Sequence, residues 1–135
     1  MLEPKTLRVL CQTTLASRPS VRAAFVFGSV ARGTARPDSD VDIAVVGHEI
    51  DVLALAAELS PRLHAEVDVV EIGLETAIPL LRSVLRDGIR IYEQSRGSAA
   101  EFLSRARFTV ELDGPGYDRM VTAFMKRVAQ RGVGS

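Results

Sequence analysis

The sequence is poor in the features that most readily announce a function. It holds a single cysteine, Cys11, among 135 residues. No intrachain disulfide can form and no cysteine-rich metal site exists, which fits a reducing, cytoplasmic setting. Net charge is formally zero at pH 7, so overall charge selects no partner. Residues 1–95 carry 10 Lys+Arg against 13 Asp+Glu and residues 96–135 carry 7 against 4. That asymmetry falls short of the clustered basic stripe of a nucleic-acid-binding domain. No apolar run approaches the ~18 residues that span a bilayer, and the opening Met-Leu-Glu-Pro has neither the cationic nor the apolar region of a secretory signal. Neither the P-loop spacing G-x-x-x-x-G-K-[ST] nor a G-x-S-x-G elbow occurs. His48 and His64 lack ligand spacing and read as surface or cap residues. No internal repeat is present, and low complexity is confined to the Gly-rich final residues.

What remains is an ordinary globular composition, 47% hydrophobic and 25% charged, in a length that suits one domain with one core. Leu7, Leu10, Cys11, Thr14 and Leu15 recur at helical spacing and predict a helix over roughly 4–17, ended before Pro19. "VRAAFVFG" reads as a buried strand, residues 29–34 as a short helix, "TARPDS" as a loop and "DVDIAVV" as a second strand ending at Gly47. A helix over about 49–63 follows, with Pro61 tightening or ending its last turn. A strand "EVDVVEI", a helix over 75–87 with Gly88 as C-cap, and a strand "IRIYE" complete the alternation. Beyond it, residues 98–111 predict a helix that "DGPG" at 113–116 breaks. Tyr117, Met120, Val121, Phe124 and Val128 form an apolar stripe on a last helix. The expected architecture is an α/β core over 1–93 with a C-terminal helical hairpin over 94–135 packed on it, in one domain. The Phe124 stripe is expected to be packing surface first and partner surface second.

The chemistry concentrates in "FGSVARGTARPDSDVDIAVVG". Strand side chains alternate, so Asp40 and Asp42 are expected on one face and Val41 and Ile43 on the other. Charges in an apolar strand need a partner, a proton or a metal. Two convergent carboxylates suit a hard cation such as Mg²⁺. Asp68 in "EVDVV" repeats the design between Val67 and Val69; if its strand lies beside the second, three carboxylates meet. Such a triad could hold two Mg²⁺ ions about 3.5–4 Å apart, the arrangement that clamps the attacking and leaving oxygens of an in-line displacement at phosphorus. Gly28 lets backbone approach a ligand, and Ser29 at a helix start offers a hydroxyl and nearby amides to phosphate oxygens. Arg32 and Arg36 lie within reach of the same phosphates. Glu66 and Glu71, at the edges of the third strand, read as exposed.

The run Gly28-Ser29, Gly33, then Ser39-Asp40-Val41-Asp42 resembles the signature of the DNA polymerase β-type nucleotidyltransferase superfamily, and most closely its minimal nucleotidyltransferase (MNT) family. The resemblance extends over about residues 5–93, through Asp68 and "LRDGIRIYE", and covers the tail only loosely. It implies a polymerase β-like core with a small mixed sheet flanked by helices. Asp40 and Asp42 would bind both metals, and Asp68 would complete the site and help deprotonate the acceptor. Gly28, Ser29, Gly33 and Ser39, with Arg32 and Arg36, would hold the nucleotide. It further implies ATP as substrate and, as partner and acceptor, a HEPN-domain RNase toxin encoded nearby, silenced by transfer of AMP to a tyrosine. Two other readings stand beside this one: AMP transfer to a small molecule such as an aminoglycoside, and a non-catalytic antitoxin that neutralises by contact. Neither a membrane nor nucleic acid is expected as partner, and the oligomeric state, with or without the toxin, is left open.

Overall fold

The computed structural model describes residues 2–132; of the Gly-rich end, residues 133–135 lie outside it. The elements in chain order are α1 (Pro4–Ala16), β1 (Val21–Phe27), α2 (Gly28–Arg32), β2 (Val41–Gly47), α3 (Val52–Leu63), β3 (Val67–Ile72), α4 (Ile78–Asp87), β4 (Ile89–Glu93) and α5 (Ser98–Gly132). The four strands form one mixed sheet in the order β3-β2-β1-β4. β1 runs antiparallel to both β2 and β4. β2 and β3 are parallel, joined by α3 as a crossover, the connection that parallel neighbours require.

Strand alternation sorts the core into two layers. Val41, Ile43 and Val45 of β2, with Val21, Ala24 and Val26 of β1, pack against Leu7, Cys11 and Leu15 of α1 and Leu55, Leu59 and Leu63 of α3. Ala44 of β2 and Ala23 and Phe25 of β1 face the other way, onto Leu81 and Val84 of α4 and Ala99, Phe102 and Ala106 of α5. Phe25 and Phe102 meet with ring centroids 6.4 Å apart. Asp42 and Asp68 have the parity of this second layer, which α4 and α5 cover.

Local chemistry explains several element ends. Asp51 caps α3 by accepting from the Ala54 amide at 3.0 Å. Pro61 sits inside the last turn of α3, and His64 ends that helix in the left-handed region. α4 starts at Ile78, three residues later than the composition predicts, because Gly73, Leu74, Glu75 and Thr76 form a turn tied by the Thr76 hydroxyl accepting from the Gly73 amide at 2.8 Å.

Two expectations are corrected. β2 begins at Val41, so Asp40 lies just outside the strand, exposed on the loop that enters it. The predicted helical hairpin does not form either, because α5 runs unbroken through Pro115 as a 35-residue helix. Its first half packs on α4 and the sheet, whereas every residue from Asp118 to Arg131 is exposed. The stripe of Met120, Val121, Phe124 and Val128 is therefore not core. Continuity across Asp113-Gly114-Pro115-Gly116 coincides with a tie from α4: Arg82 grips Asp118 with two hydrogen bonds of 2.8 and 2.9 Å. A Cβ at Gly114 would lie 2.7 Å from Arg82 Nη2, so the glycine makes room for that guanidinium. Among the described residues no helix is long and apolar enough to cross a membrane.

Candidate active site

The parallel pairing of β2 and β3 puts Asp42 directly opposite Asp68, with Cα atoms about 5 Å apart as in any adjacent strand pair. On its other side Asp42 pairs with Phe27, the last residue of β1. The chain then turns at Gly28, whose φ of +73° favours glycine. Gly28 is also tightly approached: a Cβ there would collide with Asp42 Oδ2. Asp42 is half-buried, while Asp40 and Asp68 are exposed. Burial comes first in pushing the Asp42 carboxyl above the ordinary carboxylate range, followed by the negative charges of Asp68 and then Asp40; Arg32 pulls it the other way. Thus the three acids share one electrostatic neighbourhood, although one of them sits outside the strand.

The donor set suits a hard divalent cation. It is all carboxylate, and among the described residues none of the three acids is held in an ion pair. Asp42 carries the unfavourable charge that a cation would relieve. The side chains are not gathered in advance, however: among the described residues no group of three His, Cys, Asp or Glu forms a ready cation cage. The three carboxylates would have to draw closer together to hold one.

The other sequence-predicted residues divide by position. Ser29 follows Gly28 on α2, which has only five residues, too few for a strong dipole; the local amides and the Ser29 hydroxyl remain. Gly33 is the left-handed C-cap of α2, at φ +74° with open space where a Cβ would stand, so its role is conformational. The Ser39 hydroxyl accepts from the Arg36 amide at 2.8 Å and the Ser39 amide donates to the Arg36 carbonyl at 3.0 Å, which braces the loop into β2. Arg36 is exposed on that loop. Arg32 ends α2 and donates from Nη1 to Asp87 Oδ2 at 3.1 Å. Asp87, at the end of α4, had no signal as a site residue: in sequence it is one more acid before a helix-ending glycine. Glu66 and Glu71 are exposed, as expected.

A surface cavity of about 1040 Å³ lies elsewhere, lined by Arg22, Val46, Ile72, Gln94 and Phe102 among others. Val46 and Ile72 mark the far ends of β2 and β3, four strand positions or about 13 Å from Asp42 and Asp68. None of the predicted site residues lines it.

The comparisons agree with this geometry. The family model for the polymerase beta nucleotidyltransferases matches residues 10–97, more than half of the chain. No curated protein gives a significant match. A crystal structure of a toxin–antitoxin with AMP-PNP is similar at 22% identity and TM-score 0.69, over 92% of this chain and 99% of that one. The toxin–antitoxin MntA–HpeT is similar at 20% identity and TM-score 0.72, with the same coverage. An MNT antitoxin in complex with a tri-AMPylated HEPN toxin from Shewanella oneidensis is similar at 18% identity and TM-score 0.70, over 90% of this chain and 98% of that one. Structural likeness at these identities speaks for the fold, and the matched residues, which contain every acid and glycine of the turn-and-strand site, speak for the lineage: this chain belongs to the polymerase β nucleotidyltransferase family.

Proposed function

We propose that this protein is a Mg²⁺-dependent protein adenylyltransferase that moves AMP from ATP to a tyrosine of a cognate HEPN RNase toxin, and so acts as that toxin's antitoxin. The observation that carries the proposal is the placement of Asp42 opposite Asp68, against the Gly28 turn whose missing side chain leaves room for the Asp42 carboxylate. Asp40, Asp42 and Asp68 would hold two Mg²⁺ ions. Bound there, the cations supply the positive charge that offsets the polyphosphate and the developing charge at phosphorus.

This chain's own groups have distinct tasks. The Gly28-Ser29 turn and Arg32 hold the triphosphate. Asp68, exposed at the sheet edge, takes the proton of the acceptor hydroxyl. The hydroxyl oxygen forms its bond to the α-phosphorus as the bond from that phosphorus to the bridging oxygen breaks, and pyrophosphate leaves with that oxygen. Positioning and charge carry most of this reaction, so a small domain is sufficient.

Two features support a protein acceptor. The structurally similar proteins include one bound to AMP-PNP and one in complex with an AMPylated HEPN toxin. In addition, α5 leaves Met120, Phe124, Met125 and Val128 exposed beside Arg127 and Arg131, a methionine, aromatic and arginine composition typical of interface cores. The test combines purified protein, ATP, MgCl₂ and the HEPN-domain protein encoded beside it. Intact-mass and peptide mapping should show AMP on a tyrosine, lost with Asp40→Asn or Asp42→Asn. A partner that is inhibited yet unmodified would replace transfer with neutralisation by contact. AMP found on an aminoglycoside instead would establish the small-molecule reading.

A further inference from the structure

An arginine at the end of a five-residue surface helix is ordinarily a solvated, mobile charge. Arg32 is not placed that way. Its guanidinium is tied to Asp87 Oδ2 at 3.1 Å, across from α2 to the last residue of α4. Although the Arg32 side chain is 46% exposed, that of Asp87 is only 8% exposed. A carboxylate covered by its neighbours is best satisfied by charged donors. Asp87 has them: Arg86 Nε donates to Oδ1 at 3.2 Å and Arg86 Nη2 to Oδ2 at 3.1 Å. Both arginines hold its carboxyl below the ordinary range, Arg86 first, so it stays ionised at neutral pH.

The tie also has a direction. Ser29 and Arg32 are three residues apart on α2, so they share a helix face. α2 packs against β2, the strand that carries Asp42. Arg32 therefore closes the short helix that the Gly28 turn begins, and its guanidinium is anchored to the end of α4. A guanidinium that gives one N–H to a carboxylate keeps further donors in its fixed planar fork.

We propose that Asp87, braced by Arg86, is a positioning residue that aims Arg32 at the phosphates of the bound nucleoside triphosphate. The proposal rests on reading the Gly28 turn and the three acids as the nucleotide site. Asp87 itself touches no substrate. If it acts through Arg32, removing it should weaken triphosphate binding while leaving the chemical step nearly intact, because Asp42 and Asp68 are untouched.

The experiment measures calorimetric ATP affinity in MgCl₂, and kcat and KM for AMP transfer, in Asp87→Asn, Asp87→Ala, Asp87→Glu, Arg32→Ala and the Arg32→Ala/Asp87→Ala double variant. Asp42→Asn serves as the control for the site. The expected result is about a tenfold loss of ATP affinity in Asp87→Asn, the size of one charge-assisted contact, with kcat within about twofold. The double variant should bind ATP no more weakly than Arg32→Ala alone, and Asp87→Glu should recover part of the loss. A purely structural staple between α2 and α4 would lower the melting temperature of Asp87→Asn and leave ATP affinity unchanged, which overturns the proposal. So would losses that add in the double variant. If Asp87→Asn does not fold, the decision passes to Asp87→Ala and the double variant: wild-type affinity in Asp87→Ala, or a double variant weaker than Arg32→Ala alone, overturns the proposal. Transfer that survives Asp42→Asn would instead refute the reading of the site itself.

Discussion

Gly28 offers a direct test of how the site is built, because its replacement by alanine carries two separable penalties. The residue sits at φ +73°, where an L side chain costs about 1–2 kcal/mol. The added methyl would also meet Asp42 Oδ2, so either the turn opens or the carboxylate moves. Gly33 separates the two effects. Its φ is +74°, and nothing lies within 4 Å of the place a Cβ would take. Gly33→Ala therefore carries the conformational strain without the collision. For a domain of this size the strain alone should lower Tm by about 3–7 °C. Gly28→Ala should match or exceed that loss. In transfer the two should diverge, since displacing a reacting group's support by about 1 Å costs about a hundredfold. Gly28→Ala is thus expected to lose about two orders of magnitude in kcat/KM, and Gly33→Ala less than one. Differential scanning calorimetry and initial rates of AMP transfer measure both. Equal rates for the two variants, or a Gly28→Ala protein that melts with wild type, would refute the close approach of Gly28 to Asp42.

Three further outcomes follow from burial and charge. Asp42→Asn removes a carboxylate that burial and the charges of Asp68 and Asp40 disfavour in the folded state. It should therefore melt above wild type in metal-free buffer at neutral pH while losing transfer, and MgCl₂ should raise the Tm of wild type more than that of the variant. Cys11 has no exposed surface, and burial pushes its thiol up to about 11. Thiol reagents at pH 8 should leave the folded protein unlabelled and react at Cys11 only on denaturation, which mass spectrometry reads directly. Phe102 is 8% exposed and Phe124 is 54% exposed. Phe102→Ala should cost about 3–5 kcal/mol and Phe124→Glu less than about 0.5 kcal/mol, a contrast that chemical denaturation would reverse if α5 folded back on the core.

The sheet and its acids were legible because their signals are local and mutually consistent. "VRAAFVF", "DVDIAVV" and "EVDVV" alternate or run apolar between turn residues, and Val41 and Ile43 beside Asp42, like Val67 and Val69 beside Asp68, fix which way those acids face. Asp40 misled because alternation says nothing about where a strand starts. The loop braced by Ser39 and Arg36 delivers the chain into β2 one residue later than the alternation suggests. Asp87 was illegible for a different reason: its meaning lies in Arg32, 55 positions away in sequence, and nothing local distinguishes it from a solvated helix end. The tail failed on the weight given to one proline. Pro115 removes the amide that would bond the Glu111 carbonyl, and proline in a helix interior costs about 3 kcal/mol. That cost argues against a helix only if an alternative is cheaper. A hairpin would have to turn back within Asp113-Gly114-Pro115-Gly116 and set the Phe124 stripe against a core face that Ala99, Phe102 and Ala106 already fill. With the core satisfied by the first half of α5, the second half gains nothing by folding back. Arg82 then holds Asp118 one turn beyond the proline, and the apolar stripe continues into solvent, a surface whose length is set by the absence of room for it on this domain.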